Sequence, residues 1–117
     1  MAAYIVVDSK IINAEQQEIY RQLAGPIVLK HGGEYLARGG KLSVKETKRG
    51  TPERLVIVKF PSYEQAENFY NSAEYKEALA VSDKAAERTF SIVEGVGGFK
   101  HEVQHGLKTD ETPREEF

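Results

Sequence analysis

A glycine-rich segment in the first half of the chain carries the two side chains best suited to chemistry. His31 precedes Gly32-Gly33, and Arg38 precedes Gly39-Gly40. Histidine is the most frequent general base in proteins, and the guanidinium of an arginine can hold a carboxylate or an enolate with two hydrogen bonds. We therefore predict His31 and Arg38 as catalytic residues. In the structural alternative the glycines form turns, His31 caps a helix and Arg38 forms an ion pair.

Three charged residues share a strand face with apolar side chains, and they are Asp8, Lys59 and Glu94. A charge buried without a partner is costly, so each of them pairs, reaches solvent at a strand end, or lines a cavity. A carboxylate at a strand end can serve as a base, which makes Glu94 a third predicted catalytic residue. Lys59 is predicted to bind substrate. The alternative is simple exposure at the strand ends.

Tyrosines offer an apolar ring together with a hydroxyl group, and this combination suits a pocket for a small oxygenated molecule. We predict Tyr4, Tyr35 and Tyr70 as substrate-binding residues. The alternative role is packing in the core or at an interface.

The segment His101-Glu102-Val103-Gln104-His105 matches the H-E-x-x-H pattern, in which two histidines one helical turn apart bind zinc. It follows Gly97-Gly98 in a polar stretch without a surrounding amphipathic helix, so we predict no metal site. The sequence has no G-x-G-x-x-G, P-loop or G-x-S-x-G motif and no cysteine. These features predict a protein without a cofactor.

The composition describes one ordinary domain of 117 residues with a formal net charge of −2. This charge gives no broad attraction to nucleic acid or to an anionic membrane, so neither is predicted as a partner. No apolar run is long enough to span a bilayer, and the N-terminal residues lack the basic start of a secretory signal. We expect a cytoplasmic protein.

Hydrophobic periodicity predicts four strands and two helical regions in the order β-α-β-β-α-β. The predicted strands are 4–8, 34–44, 55–60 and 90–94, with a bulge or a bend in the second at Gly39-Gly40. The first helix runs from Asn13 to about Leu29 and is bent or split at Gly25-Pro26; the second starts at Ser62 or Tyr63 and is broken near Asn71-Ser72. This order is the ferredoxin-like α+β arrangement with a four-stranded antiparallel sheet. We predict a domain over residues 1–96 and a polar, acidic tail over 97–117.

The strands are apolar on both sides, although two helices can cover only one face of a four-stranded sheet. Leu55 and Ile57 point to one side while Val56 and Val58 point to the other. An exposed apolar face of this size is unusual in a monomer. We therefore predict a homodimer in which two sheets close into an eight-stranded barrel.

The segment from His31 to Gly40 resembles the H-G-G-x-Y-L-x-R-G-G signature of the domain of unknown function 1330. Shorter matches follow in order, including Pro52-Glu53-Arg54, Phe60-Pro61-Ser62 and Val93-Glu94-Gly95. The resemblance covers residues 2–96 and implies a dimeric α+β barrel. This broad group contains small cofactor-free monooxygenases, muconolactone-isomerase-like proteins and haem-dependent dismutases, but the resemblance implies no particular reaction.

Three functions remain open on the sequence. The first is a cofactor-independent enzyme that acts on a small oxygenated organic molecule by proton transfer, isomerisation, cyclisation or monooxygenation. The second is a dimeric module that binds a metabolite without turning it over. The third is an interaction protein whose acidic tail docks a partner.

Overall fold

The computed structural model describes residues 1–97 as one antiparallel sheet and three helices. The elements are β1 (Ala3–Ile11), α1 (Ala14–Lys30), β2 (Glu34–Arg38), β3 (Leu55–Phe60), α2 (Tyr63–Asn71), α3 (Ala73–Ala85) and β4 (Ala86–Glu94). The strand order is β2-β3-β1-β4, and every neighbouring pair is antiparallel. The predicted ferredoxin-like fold is confirmed. The predicted tail lies outside the described residues from position 98 onward.

Capping side chains set the starts of the helices. The Asn13 side chain accepts a hydrogen bond from the Gln16 N–H at the start of α1. Ser72 separates α2 from α3, because its hydroxyl donates to the Phe69 carbonyl and accepts from the Tyr75 N–H. The break predicted near Asn71-Ser72 is therefore confirmed, and it gives two helices in place of one. No helix among residues 1–97 combines the length and the apolar character that a membrane span requires.

Of the bend or split predicted at Gly25-Pro26, the split does not occur, since α1 continues through Pro26 to Lys30. Proline deprives the Gln22 carbonyl of its helical donor. Gln22 is exposed, so water can supply the missing hydrogen bond, while Ala24 and Val28 are buried on either side of the proline. Packing thus holds the helix together across the missing bond.

The second strand is shorter than predicted and its bulge lies elsewhere. β2 ends at Arg38, and a long connection without regular structure follows it to Arg54. The register against β3 shifts between Tyr35 and Ala37, which places the bulge at Leu36. β4 starts at Ala86, four residues before the predicted start.

The core lies between the three helices and one face of the sheet. Ala3, Ile5 and Val7 of β1 alternate with partly exposed residues and are buried on this helix-facing side. Phe60, Phe69 and Tyr75 form its aromatic centre, with ring centroids 5.4 and 4.6 Å apart along the series. The side chains of the opposite face, here called the open face, point away from all three helices. Its apolar members are Tyr4, Val6, Ala37, Leu55, Ile57 and Val93.

Candidate functional site

A cavity of about 50 Å³ lies between α1 and the helix-facing side of the sheet. Its apolar walls come from alternate residues of three strands, β1, β3 and β4, and from one residue each of α1 and α2, namely Ile5, Val7, Val56, Val58, Phe90, Val28 and Phe69. This cavity volume is enough for about four water molecules, since each needs roughly 10–15 Å³. The cavity can therefore receive a small molecule, and its walls favour an apolar body.

Polar side chains gather at one end of this cavity because the strand register brings them into one row. Ser9 of β1 lies opposite Arg88 of β4. On its other side the Ser9 N–H donates to the Arg54 carbonyl at 2.9 Å, which extends the β1–β3 ladder by one residue. Arg54, Ser9 and Arg88 thus follow one another across three neighbouring strands, and all three line the cavity.

The Arg88 guanidinium joins the cavity to a buried polar network. Its Nη1 donates to the Tyr20 hydroxyl at 3.1 Å, and its Nη2 donates to the Tyr75 hydroxyl at 3.3 Å and to Ser82 Oγ at 3.0 Å. The two tyrosine hydroxyls are themselves 2.8 Å apart. These contacts fix the guanidinium in one orientation beside the cavity.

Protonation states within this network follow from burial. Burial is the largest cause that raises the pKa of Tyr75, so this residue remains a neutral phenol. Burial lowers the pKa of Arg88, but its interactions with Tyr20 and Tyr75 outweigh that effect and raise it overall. Arg88 therefore carries its positive charge inside the fold.

Arg38 and Tyr35 form the wall of the cavity that β2 contributes. Tyr35 lies opposite Val58 and Arg38 lies opposite Val56, so both point toward the helices. The Arg38 guanidinium carbon is 4.5 Å from the centre of the Tyr35 ring, a cation–π contact. Burial raises the pKa of Tyr35 above its ordinary value. This wall thus presents one cation and one neutral phenol.

Arg54 depends on a glycine for its position. Gly39 has a φ of 71°, and a Cβ atom added there would lie 2.8 Å from the Arg54 Nε. The guanidinium therefore packs directly against the Gly39 backbone. The first glycine of Gly39-Gly40 thus supports a side chain of the cavity.

The cavity is strongly positive. Four arginines line it, and among residues 1–97 no aspartate, glutamate or histidine does. Arg21 pairs with Glu18 at 3.1 Å, whereas within residues 1–97 no carboxylate lies within ion-pair distance of Arg38, Arg54 or Arg88. Such a set of donors can bind oxygen atoms and stabilise negative charge that forms on them.

Two of the predicted site residues line this cavity, and they are Arg38 and Tyr35. His31 does not line it, because it ends α1 with its Nδ1 3.0 Å from the Ile27 carbonyl oxygen. The His31 Nε2 is 3.7 Å from a Glu74 carboxylate oxygen, and the ring packs edge-on against Phe69.

The remaining predicted residues lie in three other places. Glu94 is exposed at the end of β4, opposite Ala3. Tyr4 and Lys59 are opposite each other on the open face. Tyr70 packs against the rings of Tyr75 and Phe90, at centroid distances of 5.5 and 4.9 Å, and does not line the cavity.

Six polar residues of the cavity were not among the predicted site residues, and they are Ser9, Gln17, Tyr20, Arg21, Arg54 and Arg88. Ser9 directly follows the predicted strand 4–8 and shares the face of Ile5 and Val7 because β1 continues to Ile11, so a polar residue on an apolar face was the available signal. Arg88 is likewise a polar residue on the face of Phe90, but the predicted strand starts only at Phe90 and so leaves Arg88 out. Tyr20 fits the apolar side of a helix, and nothing in the sequence marks it as a site residue.

Residues 1–97 contain no cluster of three or more side chains that could hold a metal ion. The H-E-x-x-H segment at 101–105 lies outside the described residues. The fold and the cavity together define a small ferredoxin-like α+β protein with a cavity between its sheet and its first helix. Residues 2–96 match the family named domain of unknown function (DUF1330), and the chain belongs to this family.

Solved structures share the fold at low sequence identity. A protein of unknown function from Rhodopseudomonas palustris has a TM-score of 0.66 and 15% identity, over 81% of this chain and 82% of that one. SnoaB, a cofactor-independent oxygenase from Streptomyces nogalater, has a TM-score of 0.57 and 5% identity, over 80% and 92% of the two chains. A putative antibiotic biosynthesis monooxygenase from Nitrosomonas europaea has a TM-score of 0.50 and 11% identity, over 83% and 92%. Among curated proteins none is a significant match.

Proposed function

We propose that this protein is a small cofactor-independent enzyme that acts on a small oxygenated organic molecule in the cavity between the sheet and α1. The observation that carries the proposal is the convergence of Ser9, Tyr20 and Arg88 at one end of a cavity that also has apolar walls. Apolar walls with a few placed polar groups are typical of sites that orient a small substrate.

The chemistry that this lining supports is the stabilisation of negative charge on oxygen. When a C–H next to a carbonyl gives its proton to a water molecule, the electron pair moves onto the carbonyl oxygen, and a neighbouring guanidinium favours the resulting enolate. The Arg88 guanidinium is held in place by Tyr20 and Tyr75, so it need not reorient during the reaction. Two proteins with this fold support an enzymatic function, since one is described as a cofactor-independent oxygenase and the other as a putative monooxygenase.

A second candidate is binding of a metabolite without turnover. The observation that favours it is the absence of carboxylate and imidazole from the cavity lining within residues 1–97. Proton abstraction then depends on water, whereas binding needs only the donors that are present. His31 and Glu94 stay proposals as catalytic groups, and both lie away from this lining.

We also propose that the working form is a homodimer joined through the open face. Val6 and Ile57 are opposite each other at the centre of this face, and Tyr4 and Val93 extend the apolar surface along the strands. A second copy related by a two-fold axis would cover the same residues on both chains.

The test of enzymatic function is proton exchange, because it detects the first chemical step without knowledge of the product. A panel of 1,3-dicarbonyl compounds and phenols in D₂O is followed by proton NMR with and without the protein. Faster loss of a C–H signal is expected with the wild type and is expected to vanish in Val56→Phe, which fills the cavity. Leu29→Phe is the matched control, since Leu29 is 64% exposed on α1. Native mass spectrometry that finds a retained small molecule, together with no exchange across the panel, would favour binding alone.

A further inference from the structure

One buried hydroxyl in the cavity has no hydrogen-bond partner. Ser9 is 4% exposed, and its Oγ is the one buried side-chain oxygen or nitrogen without a partner among residues 1–97. A buried polar group that stays unsatisfied costs stability, so native proteins satisfy nearly all of them. Ser9 Oγ is therefore positioned to meet an atom that the protein itself does not supply.

The charges on either side of Ser9 define the chemistry of that atom. Arg54 and Arg88 lie beside Ser9 on the two neighbouring strands, and within residues 1–97 no carboxylate neutralises either of them. Arg38 adds a third cation from β2, one row further along the sheet. A serine hydroxyl can donate one hydrogen bond and guanidinium groups only donate, so this end of the cavity favours an acceptor with negative charge.

The part of the cavity beyond Ser9, Arg54 and Arg88 has apolar walls, which fit an organic ligand better than a bare inorganic ion. Beyond the polar row, the next two rows of the sheet place Val7, Val56 and Phe90, and then Ile5 and Val58, against the cavity. A hydrated ion leaves these walls uncovered, whereas a ligand with an apolar body buries them.

We propose that the cavity is specific for small organic anions, with a carboxylate or an equivalent planar oxyanion at Ser9 between Arg54 and Arg88 and an apolar body along Ile5 and Val7. This inference rests on the proposed function and names the substrate class of the same cavity. The planar anion matches the guanidinium fork of Arg54, and the Ser9 hydroxyl supplies a third donor. Arg88 contributes positive charge, since its Nη2 already donates to Tyr75 and Ser82. The body then lies with its reactive carbons between the sheet and α1.

The test compares ligands that differ only in charge. Benzoate, benzamide and inorganic phosphate are titrated into the full-length protein at low ionic strength by isothermal titration calorimetry. We expect benzoate to bind at least about tenfold more tightly than benzamide, since its hydrogen bonds are charge-assisted, and more tightly than phosphate, which has no apolar body. Equal affinity for benzoate and benzamide, or binding of phosphate alone, overturns the proposal. Failure of benzoate and of the smaller butyrate to bind overturns it as well.

Variants separate the anion site from general effects on folding. Ser9→Ala removes the hydroxyl that has no partner, so we expect weaker benzoate binding, by about fivefold, with no loss of stability in chemical denaturation. Arg54→Gln is expected to weaken benzoate binding by at least about tenfold. Arg49→Gln removes the same charge from an exposed residue of the long connection and is expected to leave the affinity unchanged. An unchanged affinity in both Ser9→Ala and Arg54→Gln contradicts the assigned site.

The inference and the proposed function fail in different ways. Benzoate binding that follows these expectations, together with no proton exchange in any compound, supports the anion site and contradicts enzymatic function. If the protein accelerates proton exchange in neutral compounds only, and binds benzoate no more tightly than benzamide, enzymatic function is supported and the anion site is contradicted.

Discussion

The Arg38 guanidinium carbon lies 4.5 Å from the centre of the Tyr35 ring. Both side chains face the helices, although Arg38 follows Tyr35 by three positions in the sequence. In a regular strand, residues at i and i+3 point to opposite faces. The bulge at Leu36 inserts one extra residue and restores both side chains to the same face. An irregularity in the backbone thus brings an arginine and its supporting ring together at the cavity.

The Tyr35 ring is expected to strengthen ligand binding by holding Arg38 in place. A cation–π contact at a partly exposed site contributes about 0.5–1 kcal/mol, which corresponds to a change in affinity of roughly two- to fivefold. Tyr35→Leu should therefore weaken benzoate binding by that factor in calorimetry. Tyr35→Phe keeps the ring and should bind like the wild type. If both variants lose affinity equally, the hydroxyl and not the ring is responsible.

The two glycines after Arg38 are expected to tolerate alanine to different degrees. Gly39 has a φ of 71° and lies against Arg54, whereas Gly40 has no neighbour within 4 Å of an added Cβ. Gly39→Ala should lower the free energy of unfolding by about 1–2 kcal/mol because of the left-handed backbone, and it should weaken benzoate binding because Arg54 must move. Gly40→Ala is the matched control and should change neither quantity. Urea denaturation and calorimetry measure the two effects, and equal losses in both variants would refute this explanation.

Most of the fold follows from the sequence because local signals agree with it. The β-branched run at 55–60 and the capping Asn13 predict their elements correctly. Pro26 misleads, since burial of Ala24 and Val28 keeps α1 intact across the missing hydrogen bond. The bulge at Leu36 leaves no local signal, because the pairing with β3 determines it.

The site is less predictable than the fold for a physical reason. Arg38 and Tyr35 can be chosen from a glycine-rich segment, but the neighbours of Ser9 depend on strand order. Arg54 and Arg88 are far apart in the chain, and only the antiparallel register on both sides of β1 brings them to one serine. A strand start predicted at position 90 leaves Arg88 outside the sheet altogether.

Stability is expected to fall at high pH because Tyr75 must stay protonated in the folded state. Burial raises the pKa of Tyr75 above its ordinary value of 10.0, so above pH 10 the unfolded chain loses a proton that the folded chain retains. The unfolded state is then favoured, and the free energy of unfolding should fall by up to about 1.4 kcal/mol per pH unit. Below pH 10 both states hold the proton and this contribution is constant. Chemical denaturation between pH 8 and about 11 measures the slope.

Removal of the buried phenol identifies the source of this slope. Tyr75→Phe is expected to be less stable at pH 8, since the hydrogen bonds to Tyr20 and Arg88 are lost, and to show a shallower decline above pH 10. Tyr63→Phe removes a phenol that is 40% exposed and should change the slope much less. A slope that is the same in Tyr75→Phe and the wild type contradicts the role assigned to Tyr75.

His31 is expected to stabilise the end of α1 without a part in ligand binding. Its Nδ1 lies 3.0 Å from the Ile27 carbonyl oxygen, and it does not line the cavity. His31→Ala should lower the free energy of unfolding by about 1 kcal/mol and leave benzoate affinity within about twofold of the wild type. Arg38→Gln should weaken benzoate binding and leave the free energy of unfolding unchanged. Loss of proton exchange in His31→Ala, with affinity retained, would restore His31 as a catalytic residue.

The open face is expected to be the dimer interface, and a charge at its centre should separate the two copies. Ile57 lies opposite Val6 on β1 and opposite Ala37 on β2, so its side chain is surrounded by other residues of that face. A lysine there would be buried without a partner in the dimer but solvated in the monomer, and the difference in free energy favours dissociation. Ile57→Lys should therefore sediment near the chain mass of 13.1 kDa, and the wild type near twice that mass.

Ile19→Lys is the matched control for this experiment, because Ile19 is 44% exposed on α1, away from the open face. This variant should sediment like the wild type. Circular dichroism at the same concentrations tests whether Ile57→Lys stays folded, since the helix-facing core does not include Ile57. A monomeric wild type, or a dimer that survives Ile57→Lys with its fold intact, would contradict assembly through the open face. Benzoate binding measured on the folded monomer then tests whether the cavity, which is built from the opposite side of the sheet, works independently of the partner copy.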